Sequence, residues 1–192
     1  MKGAEKLILL DPAEFKKIFR QIKKDFAAGE YPPYFVLRGQ ISNGVQQCFA
    51  YADNGIEKAY AVCAASHSNG YVLISLFSVY PAFRGFGIGT AFLEQLKERY
   101  AGKKGLLLEV EKPECARDEA ERAVREKRMP FYARAGFRVV PNLKYAIWGV
   151  PMHLMACGPY ATGTDEMMRR IHEIYLQLMG RNFIHKLEME RI

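Results

Sequence analysis

The chain has 192 residues, 49% of them hydrophobic and 26% charged, with a formal net charge of +7. That length suits one domain burying ~70% of its unfolded surface without disulfide or metal staples, and the apolar content argues against disorder. No apolar run approaches the ~20 residues that cross a bilayer, and the first residues carry no signal-peptide h-region, so the sequence predicts a cytoplasmic protein with no membrane partner.

Residues 8–10 read as a short strand or lead-in. Asp11 and Pro12 then open a helix as N-cap and first helical residue, and Phe15, Ile18, Phe19, Ile22 and Phe26 recur as one apolar stripe. A second helix spans residues 34–42, after Tyr31-Pro32-Pro33. Strands follow at 45–52, 58–66 and 72–79, joined by hairpin turns at Asp53-Asn54-Gly55 and Ser68-Asn69-Gly70. A glycine-rich loop feeds a helix ending near Gly102, then a very apolar strand at 105–110. The charged run 114–128 predicts a helix, with Pro130 opening a separate short one stopped by Gly136. Strand segments at 137–140, 145–148 and 150–157 follow, Gly158 and Pro159 close the core, and a last helix covers 165–179. The layout predicts an α/β fold, a single mixed sheet of about six to seven strands with flanking helices plus a C-terminal helix. The domain division expected is 1–159, with 160–192 a helical extension packed on the same domain.

Cys48, Cys63, Cys115 and Cys157 show no C-x-x-C and no metal spacing, so they read as reduced thiols. His67, His153, His172 and His185 have no mutual spacing suited to a metal, and none is expected. Basic residues are spread over Lys16, Lys17, Lys23, Lys24, Arg122, Arg125, Lys127 and Arg128, without interleaved aromatics. The charge therefore reads as a general cationic surface favouring an anionic cofactor rather than nucleic acid.

The most informative stretch runs from Val72 to Leu96. A buried strand ends at Pro81, and Arg84-Gly85-Phe86-Gly87-Ile88-Gly89-Thr90 leads into a helix. Bare backbone at a helix N-terminus makes an anion site. A nucleotide P-loop fails because no Lys follows Gly89, and a dinucleotide fingerprint meets Thr90 where its third glycine belongs. The pattern R-x-x-G-x-G, here Arg84, Gly87 and Gly89, resembles the acetyl-CoA signature of the GNAT N-acetyltransferases. The motif F-Y-x-x-x-G-F, here Phe131, Tyr132, Gly136 and Phe137, strengthens the likeness. L-E-V-E-x-P from Leu108 to Pro113 and P-M-x-L-M from Pro151 to Met155 resemble a bacterial subset of that family.

The resemblance implies an acyl-CoA N-acyltransferase fold and direct acetyl transfer from acetyl-CoA to the amine of a small molecule or protein. It implies that Arg84, Gly85, Phe86, Gly87, Ile88, Gly89 and Thr90 hold the pyrophosphate. The backbone of Phe77 and Val79 would pair with the pantetheine where the central strand and the next one splay. Tyr132 resembles the family's general acid. Many members carry a Glu on the central strand where this chain has Ser75, which cannot serve as a base. Glu109 and Glu111, two apart on the next strand, share a face and are the substitutes. The family's usual Asn before the Tyr is replaced by Arg125-Glu126, and that Arg could still face a cofactor phosphate. Tyr31, Tyr34 and His153 lie on elements that border the acceptor in this family. The alternative function is a catalytically silent acyl-CoA-binding module whose basic surface serves a partner. The C-terminal helix is open to three roles: lid, homodimer contact or accessory cap.

Overall fold

The computed structural model describes residues 6–158 and 163–192. The predicted close of the core at Pro159, and the division between 159 and 160, lie outside the described residues. The chain gathers into two compact units: residues up to Ala64 with Ile74–Ala101, and Ala65–Leu73 with Gly102–Ile192.

The first unit holds β1 (Lys6–Leu9), α1 (Phe15–Asp25), α2 (Tyr34–Ser42), β2 (Gln47–Asp53), β3 (Ile56–Ala65), most of β4 (Tyr71–Val79) and α3 (Ile88–Arg99). Its strands run in the order β1-β2-β3-β4, with β1–β2 and β2–β3 antiparallel. The β2–β3 turn forms where the sequence predicts it. Asn54 and Gly55 both take positive φ, 49° and 78°, as a two-residue hairpin requires. Successive residues of β2 point to opposite faces. Cys48 and Ala50 share a core with Phe15, Ile18 and Ile22 of α1 and with Leu37 and Ile41 of α2. Phe49 and Tyr51 face the other way, their rings 6.1 Å from Tyr100 and 5.2 Å from Phe92. Both faces are covered, which accounts for the near-continuous burial of β2 and β3. The first helix starts later than expected: Asp11 caps a turn of its own, accepting from Ala13 N at 2.8 Å, and α1 begins at Phe15.

The second unit takes the first residues of β4 and continues with β5 (Gly105–Glu111), α4 (Glu119–Arg134), β6 (Arg138–Val139), β7 (Leu143–Ile147), β8 (Val150–Cys157), α5 (Thr164–Phe183) and β9 (Leu187–Arg191). The order continues β5-β8-β7-β9, with β6 on β8. Because β4 is common to both units, the nine strands make one mixed sheet with flanking helices. No helix among the described residues is long and apolar enough to cross a membrane.

Three expectations are corrected here. Residues 114–128 do not form one helix: Pro113–Cys115 is a 3₁₀ turn, and α4 starts only after Asp118, whose side chain accepts from Glu121 N at 2.8 Å. Pro130 does not open a second helix but lies inside α4, which runs on to Arg134. Its missing N–H costs one helical bond, while the helix is tied down on both sides of it, by the buried Arg125 before and by Phe137 N bonding Tyr132 O at 3.0 Å after. Finally, the C-terminal region is not wholly helical. Residues Leu187–Arg191 form β9, paired antiparallel with β7. Leu187 is buried while Glu188, Glu190 and Arg191 stay exposed, the charge pattern of a protected edge strand. Those charges mask the strand in the sequence.

Candidate active site

After β4, Pro81 opens a 3₁₀ turn, Pro81–Phe83, and the chain enters the glycine loop. Gly85 and Gly87 take left-handed φ, 83° and 78°, and Gly87 caps α3. A Cβ at either position would meet no atom within 4 Å, so the space in front of them is open. The first helical bond runs from Ala91 N to Gly87 O at 3.0 Å. It leaves the N–H groups of Ile88, Gly89 and Thr90 at the positive end of the helix. The first turn of α3 carries no acidic side chain, so the donor set suits a pyrophosphate. Arg84 folds back on β4, its Nε donating to Val79 O at 2.9 Å. Phe86 is exposed, Ile88 is buried, and Phe77 stacks on Phe92 at 5.2 Å.

Glu109 and Glu111 sit two residues apart on β5 and are held in different ways. Glu111 accepts from Arg125 Nη2 at 2.7 Å and from Arg128. Arg125 also bonds Lys112 O at 3.0 Å and Glu121 at 2.9 Å, and it is buried. Among the described residues, Glu109 receives only hydroxyls. Tyr145 of β7 donates to Oε1, and the Tyr175 hydroxyl of α5 lies 2.8 and 2.7 Å from the two carboxylate oxygens. Burial pushes the Glu109 carboxyl above the usual carboxylate range, and the two phenols pull it back. The same burial, together with the Glu109 charge, drives both phenols well above the ordinary tyrosine value.

Tyr132 lies on α4, half-buried, its ring 5.0 Å from Phe131 and 6.2 Å from Phe137. Burial pushes its hydroxyl up to about 12, while the nearby Arg128 charge pulls the other way.

The acetyltransferase (GNAT) domain family matches residues 44–139, half of the chain, spanning the β2–β4 strands, the glycine loop, β5 and α4. The chain belongs to the GNAT acetyltransferase family. No curated protein sequence matches it. Among solved structures, a chain from Bacteroides thetaiotaomicron assigned to the GNAT family superposes with a TM-score of 0.73 at 22% identity, covering 91% of this chain and 98% of its own. A ribosomal-protein alanine N-acetyltransferase from Escherichia coli gives 0.57 at 18% identity, covering 83% and 97%. A spermidine N-acetyltransferase chimera from Vibrio cholerae gives 0.59 at 10% identity, covering 80% and 94%. GNAT acetyltransferases move acetyl groups to amines of small molecules or proteins.

Ser75 Oγ lies 3.0 Å from both Gln46 Oε1 and Val62 O, so its one proton is committed to internal acceptors. Arg125 does not face outward toward a phosphate as the sequence allowed, but turns onto Glu111. Tyr31 and Tyr34 pack against Phe19 at 5.7 and 5.1 Å. His153 lies on β8 opposite Val110, and burial lowers its pKa. Burial pushes the Cys48 thiol up to about 12 and raises Cys63 as well, which suits neither to nucleophilic chemistry. Among the described residues no three His, Cys, Asp or Glu gather as metal ligands.

Tyr145 and Tyr175 are the site residues that sequence reasoning missed. Tyr175 sits in the apolar stripe of α5, where its ring explains its place and its hydroxyl goes unnoticed. The available signal was Glu109 itself, a lone charge after three leucines, since a carboxylate in an apolar strand needs donors.

Proposed function

We propose that this GNAT chain transfers the acetyl group of acetyl-CoA directly to an amine, in the cytoplasm, as an acetyl-CoA-dependent N-acetyltransferase. The observation that carries the reading is the Gly85–Gly87 loop, whose left-handed glycines leave open space before the N–H groups of α3. Those N–H groups would hold the pyrophosphate, with Arg84 shaping the loop from its bond to Val79 O. Backbone of Phe77 and Val79 would align the pantetheine as an added strand.

Tyr132 is the donor to the departing sulfur. With its hydroxyl at about 12 it is a weaker acid than a thiol, ordinarily ~8.5, so it serves by donating a hydrogen bond as charge develops on sulfur. Glu109 takes the proton of the attacking amine, since Glu111 is neutralised by Arg125 and Arg128. Release of free thiol from acetyl-CoA with a panel of small amines and amine-bearing peptides tests this. Acceptor-dependent thiol release is expected, and its absence across the panel despite acetyl-CoA binding overturns it. The committed hydroxyl of Ser75 favours the second reading, a GNAT module that binds acyl-CoA without turnover, and that same outcome supports it.

A further inference from the structure

Glu111 of β5 takes two guanidiniums, and the two are placed differently. Arg125 Nη2 reaches it at 2.7 Å, and Arg125 also bonds Lys112 O and Glu121, with 7% of its side chain exposed. Those bonds by themselves fasten α4 to β5. Arg128 meets Glu111 through Nη1, and 39% of its side chain is exposed. One turn further along α4, on the same helix face, stands Tyr132. The helix gives Arg128 no acidic neighbour of its own: Val124, Arg125, Phe131 and Tyr132 occupy the positions three and four residues away.

The arginines of α5 behave otherwise. Arg169 and Arg170 pair with Glu166 of their own helix at 2.6 and 2.5 Å, and Arg170 also reaches Glu173 at 3.4 Å. Asn69 of the β3–β4 turn grips Glu173 through Nδ2 at 2.6 Å. Pairs along one helix of this kind steady the helix itself. Arg128 instead turns onto β5, which fixes its charge one turn from Tyr132.

A neutral phenol leaves the departing sulfur short of help. With its hydroxyl pushed up to about 12, Tyr132 gives the sulfur a hydrogen bond and retains its proton, so the sulfur leaves as an anion. An anion in a half-buried place needs an opposite charge close by. Arg128 pulls the Tyr132 hydroxyl down against the effect of burial, so its positive potential reaches the phenol oxygen and a sulfur bonded there. Glu111 does not cancel that charge, because Arg125 shares the same carboxylate.

We infer that Arg128 is a further residue of the transfer reaction: its guanidinium, clamped by Glu111 one helical turn before Tyr132, supplies the positive charge that favours CoA thiolate over CoA thiol. The inference rests on Tyr132 being the donor to the sulfur, as proposed above. Arg128 acts through Tyr132 and touches neither the amine nor the acyl group, so it is a positioning residue, and Glu111 and Arg125 place it. As the amine nitrogen bonds the carbonyl carbon, the carbon–sulfur bond breaks and its electron pair stays on sulfur. The proton of the nitrogen goes to Glu109, and the thiolate accepts from Tyr132 under the Arg128 charge.

The test titrates the thiol of bound CoA by the ultraviolet absorbance of its thiolate. The desulfo-CoA complex is the blank, so that the protein's own phenols and thiols cancel. A free thiol titrates at ~8.5, and in the parent the bound thiol should titrate lower. In Arg128→Gln its acid constant should fall about tenfold, the low end for losing one opposite charge nearby, and Arg128→Lys should restore most of it. A merely structural role would lower the melting temperature and leave that constant alone. Thiol release from acetyl-CoA with n-butylamine gives a second reading. Arg128→Gln should lower kcat about tenfold with KM for acetyl-CoA unchanged, and should cost little once Tyr132→Phe is present. A bound thiol made more acidic by Arg128 upholds the inference even where no amine is turned over. CoA bound with the same acid constant in parent and Arg128→Gln overturns the inference alone, as does a Lys variant no better than Gln or full additivity with Tyr132→Phe. Failure of the parent to bind CoA overturns the transferase reading and the inference with it.

Discussion

Arg125 of α4 meets Glu111 of β5 at 2.7 Å, with only 7% and 13% of their side-chain surfaces exposed. An ion pair this enclosed does not rank among the surface pairs of small effect, and removing one partner strands the other. Arg125→Met is expected to lower the unfolding free energy by ~3 kcal/mol, the low end of the usual range, because Glu111 retains Arg128. Urea titration of the single variant and of Arg125→Met/Glu111→Leu measures it. The double variant should recover part of the loss, and an unshifted midpoint in the single variant would show the pair to be idle.

The glycine loop makes a separable prediction. Gly87→Glu places a negative charge where the pyrophosphate should rest, at a position with open space but left-handed φ of 78°. Gly87→Asn carries the same backbone demand in a residue that tolerates it, without the charge. Calorimetry should show acetyl-CoA binding lost in the Glu variant and weakened less in the Asn variant, with the far-ultraviolet circular dichroism of both unchanged. Equal loss in the two would point to backbone strain instead of anion recognition.

Tyr132→Phe keeps the ring contacts with Phe131 and Phe137 and removes only the hydroxyl. Turnover is expected to fall by ~10²–10³, the range for losing one donor to a developing charge, with acetyl-CoA affinity nearly kept. Because burial pushes the hydroxyl up to about 12, this group should add no alkaline fall to the parent's rate between pH 7 and about 10. A fall there that disappears in the Phe variant would contradict the raised value.

Glu109 predicts a stability slope with pH. Burial raises its folded-state pKa above the unfolded value of about 4.3. Below the unfolded value the group is protonated in both states, so parent and Glu109→Gln should melt alike. As pH rises through the raised folded value, the parent must bury a charge and loses stability that the Gln variant keeps. Melting scans from pH 4 to 9 should therefore show the variant's advantage growing with pH. A constant difference across the range would mean that Glu109 is not the titrating group.

Much of this was legible in the residues. Two-residue turns, apolar strands and the stripe of α1 each carry a local physical demand, so the element order from β1 through α3 follows the sequence closely. Arg84, Gly87 and Gly89 announce the loop because a helix entered through bare backbone has few uses other than holding an anion. Long-range choices were not legible. The spacing of Glu109 and Glu111 puts them on one face, yet nothing local says that one would meet two arginines and the other two phenols. Pro130 reads as a break because the anchors that carry α4 past it lie in other elements. The charges of β9 hide a strand that exists through its pairing with β7.

The grip of Asn69 on Glu173 joins residues 104 positions apart in the chain. At a synthesis rate of ~5–20 residues per second, the hairpin tip leaves the ribosome roughly 5–20 s before the helix that completes it. In that interval the Asn69 amide has only water and its own turn to bond. A nascent chain should therefore be open to proteases and chaperones at residues 65–71, and become resistant there once translation has delivered α5.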